Sequence, residues 1–304
     1  MQHSGLAGPN VLTVRRTVAP FVYLLPLLVL LGLFTYWPLL NTVWLSLMRW
    51  NLNPGVPLQF EGLANYQRLV DSVLFADAAR NTAYYILASI PLKVLLPLPF
   101  AVGIWALGSS GRIYRVVLFL PTLVSFVVIS VVFLWLLNPI GGLVTQLGAM
   151  LGLPPGNVLA SPTGAFWTIM ALSTWKLLGF NILLYLAGLS RINRDQILAM
   201  RLDGASDWQV VRHLVWPMLT PTTFFVLVTT SIFTIQQVFT PIDILTRGGP
   251  FNATTNLFYM VYQYTFRTFD VGLGAAGTVV ILVLLLAITL AKLRFLDRHV
   301  HYEQ

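Results

Sequence analysis

"VVLFLPTLVSFVVISVVFLWLL", residues 116–137, carries no charge, and it opens a run of sixty residues, Val116 to Trp175, without Asp, Glu, Lys or Arg. A soluble domain is about one quarter charged. Here 9% of 304 residues are charged and 57% are hydrophobic, with a mean hydropathy of +0.78. The solvent for most of such a chain is lipid. Hydrocarbon cannot satisfy backbone N–H and C=O groups, so a spanning helix must pair its own. The length of the apolar runs selects an all-α, polytopic membrane protein.

Crossing roughly 30 Å of hydrocarbon takes about 20 apolar residues. Six segments qualify, at about 20–48, 79–107, 116–137, 165–188, 215–241 and 271–291. The first follows Arg15 and Arg16 and is too long for a cleaved leader, so it reads as a retained anchor. Positive charge then orients the chain. With the N-terminus inside, the inner segments hold eleven Lys and Arg, and the outer loops hold four, Arg49, Arg68, Arg247 and Arg267. Both termini are expected in the cytoplasm. The same bias explains the net charge of +8 without nucleic acid, because no basic run with interleaved aromatics stands outside the spans. An outer stretch, 60–70, has helical apolar spacing and reads as a short surface helix.

The longest inner loop, 189–216, is polar in an apolar chain. It contains "RLDGASDWQVVRHLVWP", residues 201–217. A first helix from Ser190 to Leu202 is ended by Gly204, the residue best suited to a left-handed helix end. Ser206 with Gln209 makes an S-x-x-Q capping box for a second helix over about 207–214, and Pro217 opens the next span. The residues leave two readings open. The hairpin lies on anionic lipid with Trp208 at the interface, or it docks a protein partner through Trp208. Asp203 and Asp207 favour the partner, since a lipid-lying helix has a purely basic polar face.

The loop resembles the cytoplasmic loop of permeases of the ABC importer family, whose pattern runs Glu-Ala-Ala, three residues, Gly, nine residues, Ile-x-Leu-Pro. Gly204, the nine-residue spacer, Leu214 and Pro217 match, and "DGA" at 203–205 is the usual centre. Leu198 stands where the motif has glutamate, and Met200 replaces its second alanine. Further similar stretches are "YRVVLFLPTLVSFVV" at 114–128, "TWKLLGFNILLYLAGLSRI" at 174–192, "LTRGGPFNATTNL" at 245–257 and "RFLDRHVHYE" at 294–303. Together they point to the carbohydrate and glycerol-3-phosphate branch.

The resemblance implies a type I importer permease fold of six transmembrane helices, in a prokaryotic inner membrane. It also implies a second permease, generally a different chain, two copies of a cytoplasmic ABC ATPase and an extracytoplasmic solute-binding protein. The hairpin would be the coupling helix, docking the ATPase through Leu198, Ala199, Met200, Asp203, Gly204, Ala205, Ser206, Trp208 and Pro217. This chain has no G-x-x-x-x-G-K-[ST] loop, so ATP and Mg²⁺ belong to the partner ATPase and no cofactor is expected here. The cargo would be a sugar, or alternatively glycerol-3-phosphate or another polyol ester.

Polar groups inside spans face a cavity or another helix. The fourth span offers Trp175, Lys176, Asn181 and Tyr185, and the fifth offers Gln236, Gln237 and Phe239. Flat aromatics with amides suit a polyol, so these are the candidate substrate path. Lys93 lies mid-span and must meet protein, water or a partner.

Catalysis is disfavoured. There is no cysteine, no metal site is expected, and His3, His213, His299 and His301 lie in tails or the inner loop. No G-x-S-x-G and no paired intramembrane carboxylates occur. An ion-coupled secondary transporter would normally carry intramembrane acids, and none falls in a span.

Overall fold

The structure, a computed structural model, describes residues 23–52, 55, 57–151 and 156–299. Arg15, Arg16, residues 20–22 of the first span and His301 lie outside the described residues, as does His3. The architecture is helical, with one two-stranded antiparallel ribbon pairing Met48 with Phe60.

Among the described residues five helices are long and apolar enough to cross a membrane. In chain order the helices are α1, Tyr23–Ser46; α2, Ala64–Val70; α3, Val73–Ala106; α4, Arg112–Leu123; α5, Phe126–Leu136; α6, Leu143–Met150; and α7, Pro162–Leu189. After them come α8, Arg194–Leu202; α9, Asp207–Thr246; α10, Leu257–Tyr262; and α11, Val271–His299. The surface helix expected over 60–70 is α2.

The third expected span, 116–137, is not one helix. It consists of α4 and α5, bent by 90° at Val124 and Ser125. At about 1.5 Å per residue each limb covers under 20 Å, less than the hydrocarbon thickness. Pro121 weakens the last turn of α4, Val124 is extended, and the Ser125 hydroxyl caps α5 by accepting from Val128 N at 3.2 Å. Hydropathy averages over this break. Pro121 and the Ser125 cap are the local signals of it.

The fifth span also differs from expectation. The second hairpin arm does not stop at 214; it continues through a π-turn at Val211–Val215 into the span, making one helix of 40 residues. Pro217 lies on the exposed face, in the first turn of the α-helical stretch Trp216–Gln237 that follows the π-turn.

The core is built around α7. Two thirds of its apolar window (67%) is buried, against none for α1. α7 packs on α3, α4 and α9. Gly179 makes the α4 approach possible, because a Cβ there would lie 2.1 Å from the Leu118 carbonyl oxygen. Near the hairpin, Val94, Ile104, Leu189, Ile192, Val210 and Val215 form one buried apolar cluster, so the hairpin is seated on the bundle.

Candidate functional site

The hairpin is assembled from local rules. Asn193 caps α8 by accepting from Asp195 N at 2.9 Å. α8 ends at Gly204, whose φ of +83° is the left-handed state that glycine tolerates best. Ser206 and Gln209 then form both halves of the capping box, at 3.4 and 2.7 Å. Arg201 closes the turn on Asp207 at 2.8 Å. Both side chains are well exposed, so the pair fixes geometry more than it adds stability.

The hairpin has two faces. Met200 and Ala205 turn inward and pack on the buried cluster with Ile197. Leu198 is 56% exposed, Trp208 69% and Leu202 89%, so large apolar side chains stand uncovered at the tip. Ala199, Asp203, Ser206 and Pro217 are exposed with them. Of the nine residues read from the sequence as a docking surface, Met200 and Ala205 therefore support the tip from beneath. Leu202 belongs on the outer face and was missed, because helical spacing around a glycine turn does not say which side the bundle occupies.

The span residues sort differently. Lys176 Nζ donates to the carbonyls of Pro121 at 3.4 Å, Thr122 at 3.0 Å and Val124, and sits 4.8 Å from the Phe126 ring centre. The last carbonyls of a helix have no intrahelical donor and form the negative end of its dipole. Lys176 is thus the cap of α4 at the 90° break. Thr122 returns a bond to the Lys176 carbonyl at 2.8 Å.

Asn181 and Tyr185 serve the other irregular span. α3 passes through a π-turn at Ile90–Leu95, with Pro91 in its first turn and Pro97 just beyond it. In an α-helix the Lys93 carbonyl would accept from residue 97, a proline without an N–H. Asn181 Nδ2 donates to it instead, at 2.6 Å, and Tyr185 donates to the Val94 carbonyl at 3.1 Å. Lys93 is fully buried and donates to Thr234 Oγ1 at 3.2 Å. Trp175 is half exposed, its ring 6.2 Å from Phe133.

On α9 the picture is more open. Gln236 is exposed, Gln237 has a buried Oε1 without a partner, and Phe239 stacks against Tyr259 and Tyr262 at 5.7 and 5.2 Å. Beyond them, residues 248–256 form a folded loop. Asn81 donates to the carbonyls of Asn252 and Thr255 at 2.7 and 3.0 Å, and Tyr85 donates to Thr254 at 3.2 Å. Asn256 donates to the Ile235 carbonyl at 2.7 Å. Thr254, Thr255 and Asn256 are fully buried. Beside this loop a cavity of about 570 Å³ is lined by Leu134, Asn138, Asn157, Leu245 and Pro250, among others. The sequence alone does not show this loop as buried, because its bonding partners Asn81 and Tyr85 lie on a distant span.

At this end, away from the hairpin, Arg49, Arg68, Arg80 and Arg267 each pair with a carboxylate, on Glu61, Asp270, Asp77 and Asp243. At the hairpin end Arg112, Arg115, Arg191 and Arg212 have no ion pair among the described residues.

Known proteins give the arrangement a context. Residues 75–302 match the family described as the binding-protein-dependent transport system inner membrane component. The chain is 31% identical over 290 residues to the sn-glycerol-3-phosphate transport system permease protein UgpA of Pectobacterium atrosepticum, covering 95% of this chain and 97% of that one. It is 33% identical over 287 residues to the protein of the same name from Yersinia enterocolitica, covering 93% and 96%. Its fold resembles a chain of a bacterial ABC transporter involved in the import of the acidic polysaccharide alginate, with TM-score 0.84, 22% identity and coverage of 95% and 98%. A structure of the bacterial alginate ABC transporter in complex with an alginate pentasaccharide-bound periplasmic protein gives 0.83 at 21% identity, with the same coverage. With matched helices, a seated hairpin and a profile that spans most of its length, this chain belongs to the inner membrane components of binding-protein-dependent transport systems.

Proposed function

We propose that this permease passes a sugar, delivered by an extracytoplasmic solute-binding protein, through a passage shared with a second permease. Force comes from two ABC ATPase copies, which hold the ATP and Mg²⁺. The hairpin docks them through Leu198, Ala199, Leu202, Asp203, Ser206 and Trp208, and both termini lie in the cytoplasm. The excess of Lys and Arg in the segments on the hairpin side supports that orientation.

The single observation that carries the coupling reading is the continuity of α9. Asp207 at the hairpin and Thr246 at the far end lie on one helix, about 60 Å long. A helix cannot bend freely without breaking its hydrogen-bond ladder. A shift of the docked tip therefore displaces Gln236, Gln237 and Phe239, whose side chains make no hydrogen bond that holds a broken span. They are the proposed substrate contacts. Trp175 faces outward, and Lys176, Asn181 and Tyr185 support the path by holding the broken spans.

A neutral polyhydroxyl cargo fits these amides and aromatics. Glycerol-3-phosphate is the second reading, favoured by the names of the relatives over nearly their full length. Purifying the cognate binding protein and identifying its retained ligand by mass spectrometry decides between them. Uptake into proteoliposomes should vanish with an ATPase variant unable to hydrolyse nucleotide. Uptake driven by an ion gradient without any ATPase would overturn the reading.

A further inference from the structure

At the hairpin end a cavity of about 260 Å³ is lined by Trp105, Arg115, Leu186, Leu189, Ser190 and Ile192. It lies where α3 ends, α4 begins and α7 hands over to the hairpin. Leu186, Leu189 and Ile192 are buried and make an apolar floor. Arg115 Nε is buried without any hydrogen-bond partner, which is costly for a group that stays charged at every physiological pH. The Ser190 hydroxyl is already used, donating to the Ala187 carbonyl at 2.7 Å. The vacancy is therefore for an acceptor, and for an anionic one.

A second feature specifies its source. An open groove lined by Pro99, Phe100, Gly103, Ile104, Leu107 and Tyr114 runs along the same two helix ends and is almost wholly apolar. Tyr114 and Trp105 are the neighbours in sequence of Arg115 and Ile104, so the groove and the charged pocket share helices α3 and α4. A free phosphate would use the pocket alone. A molecule with a phosphate and a hydrocarbon tail would use both. Arg112 and Arg191, exposed at the same level, add positive charge around the mouth.

We propose that this pocket binds the phosphate of an anionic phospholipid headgroup, with Arg115 as the ligand and an acyl chain in the adjoining groove. Bound there, the lipid braces the joint between α7 and the coupling hairpin, since Leu189 and Ile192 belong to the same buried cluster as Val210 and Val215. Only the name of the leaflet, cytoplasmic, rests on the orientation proposed above. Loss of the lipid is read whichever way the chain points.

The test uses the intact transporter, purified with its partner chains and examined by native mass spectrometry after exchange into mixed phosphatidylcholine and phosphatidylglycerol. Wild type should retain phosphatidylglycerol in preference to phosphatidylcholine. Arg115→Gln should lower that occupancy about fivefold, the effect of one interfacial arginine on an anionic lipid, while the exposed Arg112→Gln lowers it less. Ser190→Trp, which fills the mouth with Arg115 in place, should give the same loss in a protein of unchanged oligomeric size. Equal retention of the two lipids, or wild-type occupancy in both Arg115→Gln and Ser190→Trp, would overturn the proposal. So would displacement of the lipid by millimolar inorganic phosphate alone, which would assign the pocket to a soluble anion.

Discussion

Asn181 on α7 donates to the backbone carbonyl of Lys93 on α3 at 2.6 Å, filling a place that Pro97 leaves vacant. The bond ties the most buried span to the π-turn of α3. Its removal should be felt as stability. Asn181→Leu leaves the carbonyl buried and unpaired, at a cost of about 1–3 kcal/mol, and thermal unfolding of the purified transporter should begin at lower temperature. Unchanged unfolding would mean that water or Leu98 takes over the carbonyl.

Lys176 is expected to behave as a helix cap and not as a reader of cargo. Lys176→Met removes a charged donor from three carbonyls at the α4–α5 break, worth about 1.5–3 kcal/mol. Stability should fall, while the protein that remains folded keeps its preference between neutral and anionic cargo. A selective loss of anionic cargo at unchanged stability would return Lys176 to the substrate path.

Gly204→Val places a β-branched side chain at φ +83°, a strain of about 1–2 kcal/mol. Nothing lies within 4 Å of a Cβ there, so the cost is purely conformational. The spans should insert normally and the ATPase should co-purify less, with uptake lost. Full uptake in this variant would remove the hairpin turn from the coupling path.

Trp208 is exposed and adds little to the fold. Trp208→Ala should therefore leave the unfolding temperature where it is and weaken ATPase binding by about 2 kcal/mol, roughly thirtyfold. Titration of the ATPase against the reconstituted permease measures this. An unfolding temperature that drops as far as the affinity would show Trp208 to be structural.

The membrane character, the helix count within one broken span, the Gly204 turn and the Ser206–Gln209 box were all legible in the sequence, because each depends on composition or on residues within a turn of one another. What the sequence could not decide was how α4 and α5 bend, that α9 runs on through its π-turns from the hairpin to the far end of the bundle, and which polar span residues serve the backbone. A proline such as Pro97 announces a missing donor. Only the fold shows that Asn181, on another helix, lies close enough to replace it. Short-range preferences are written residue by residue, whereas the pairing of distant groups exists only once the helices have packed.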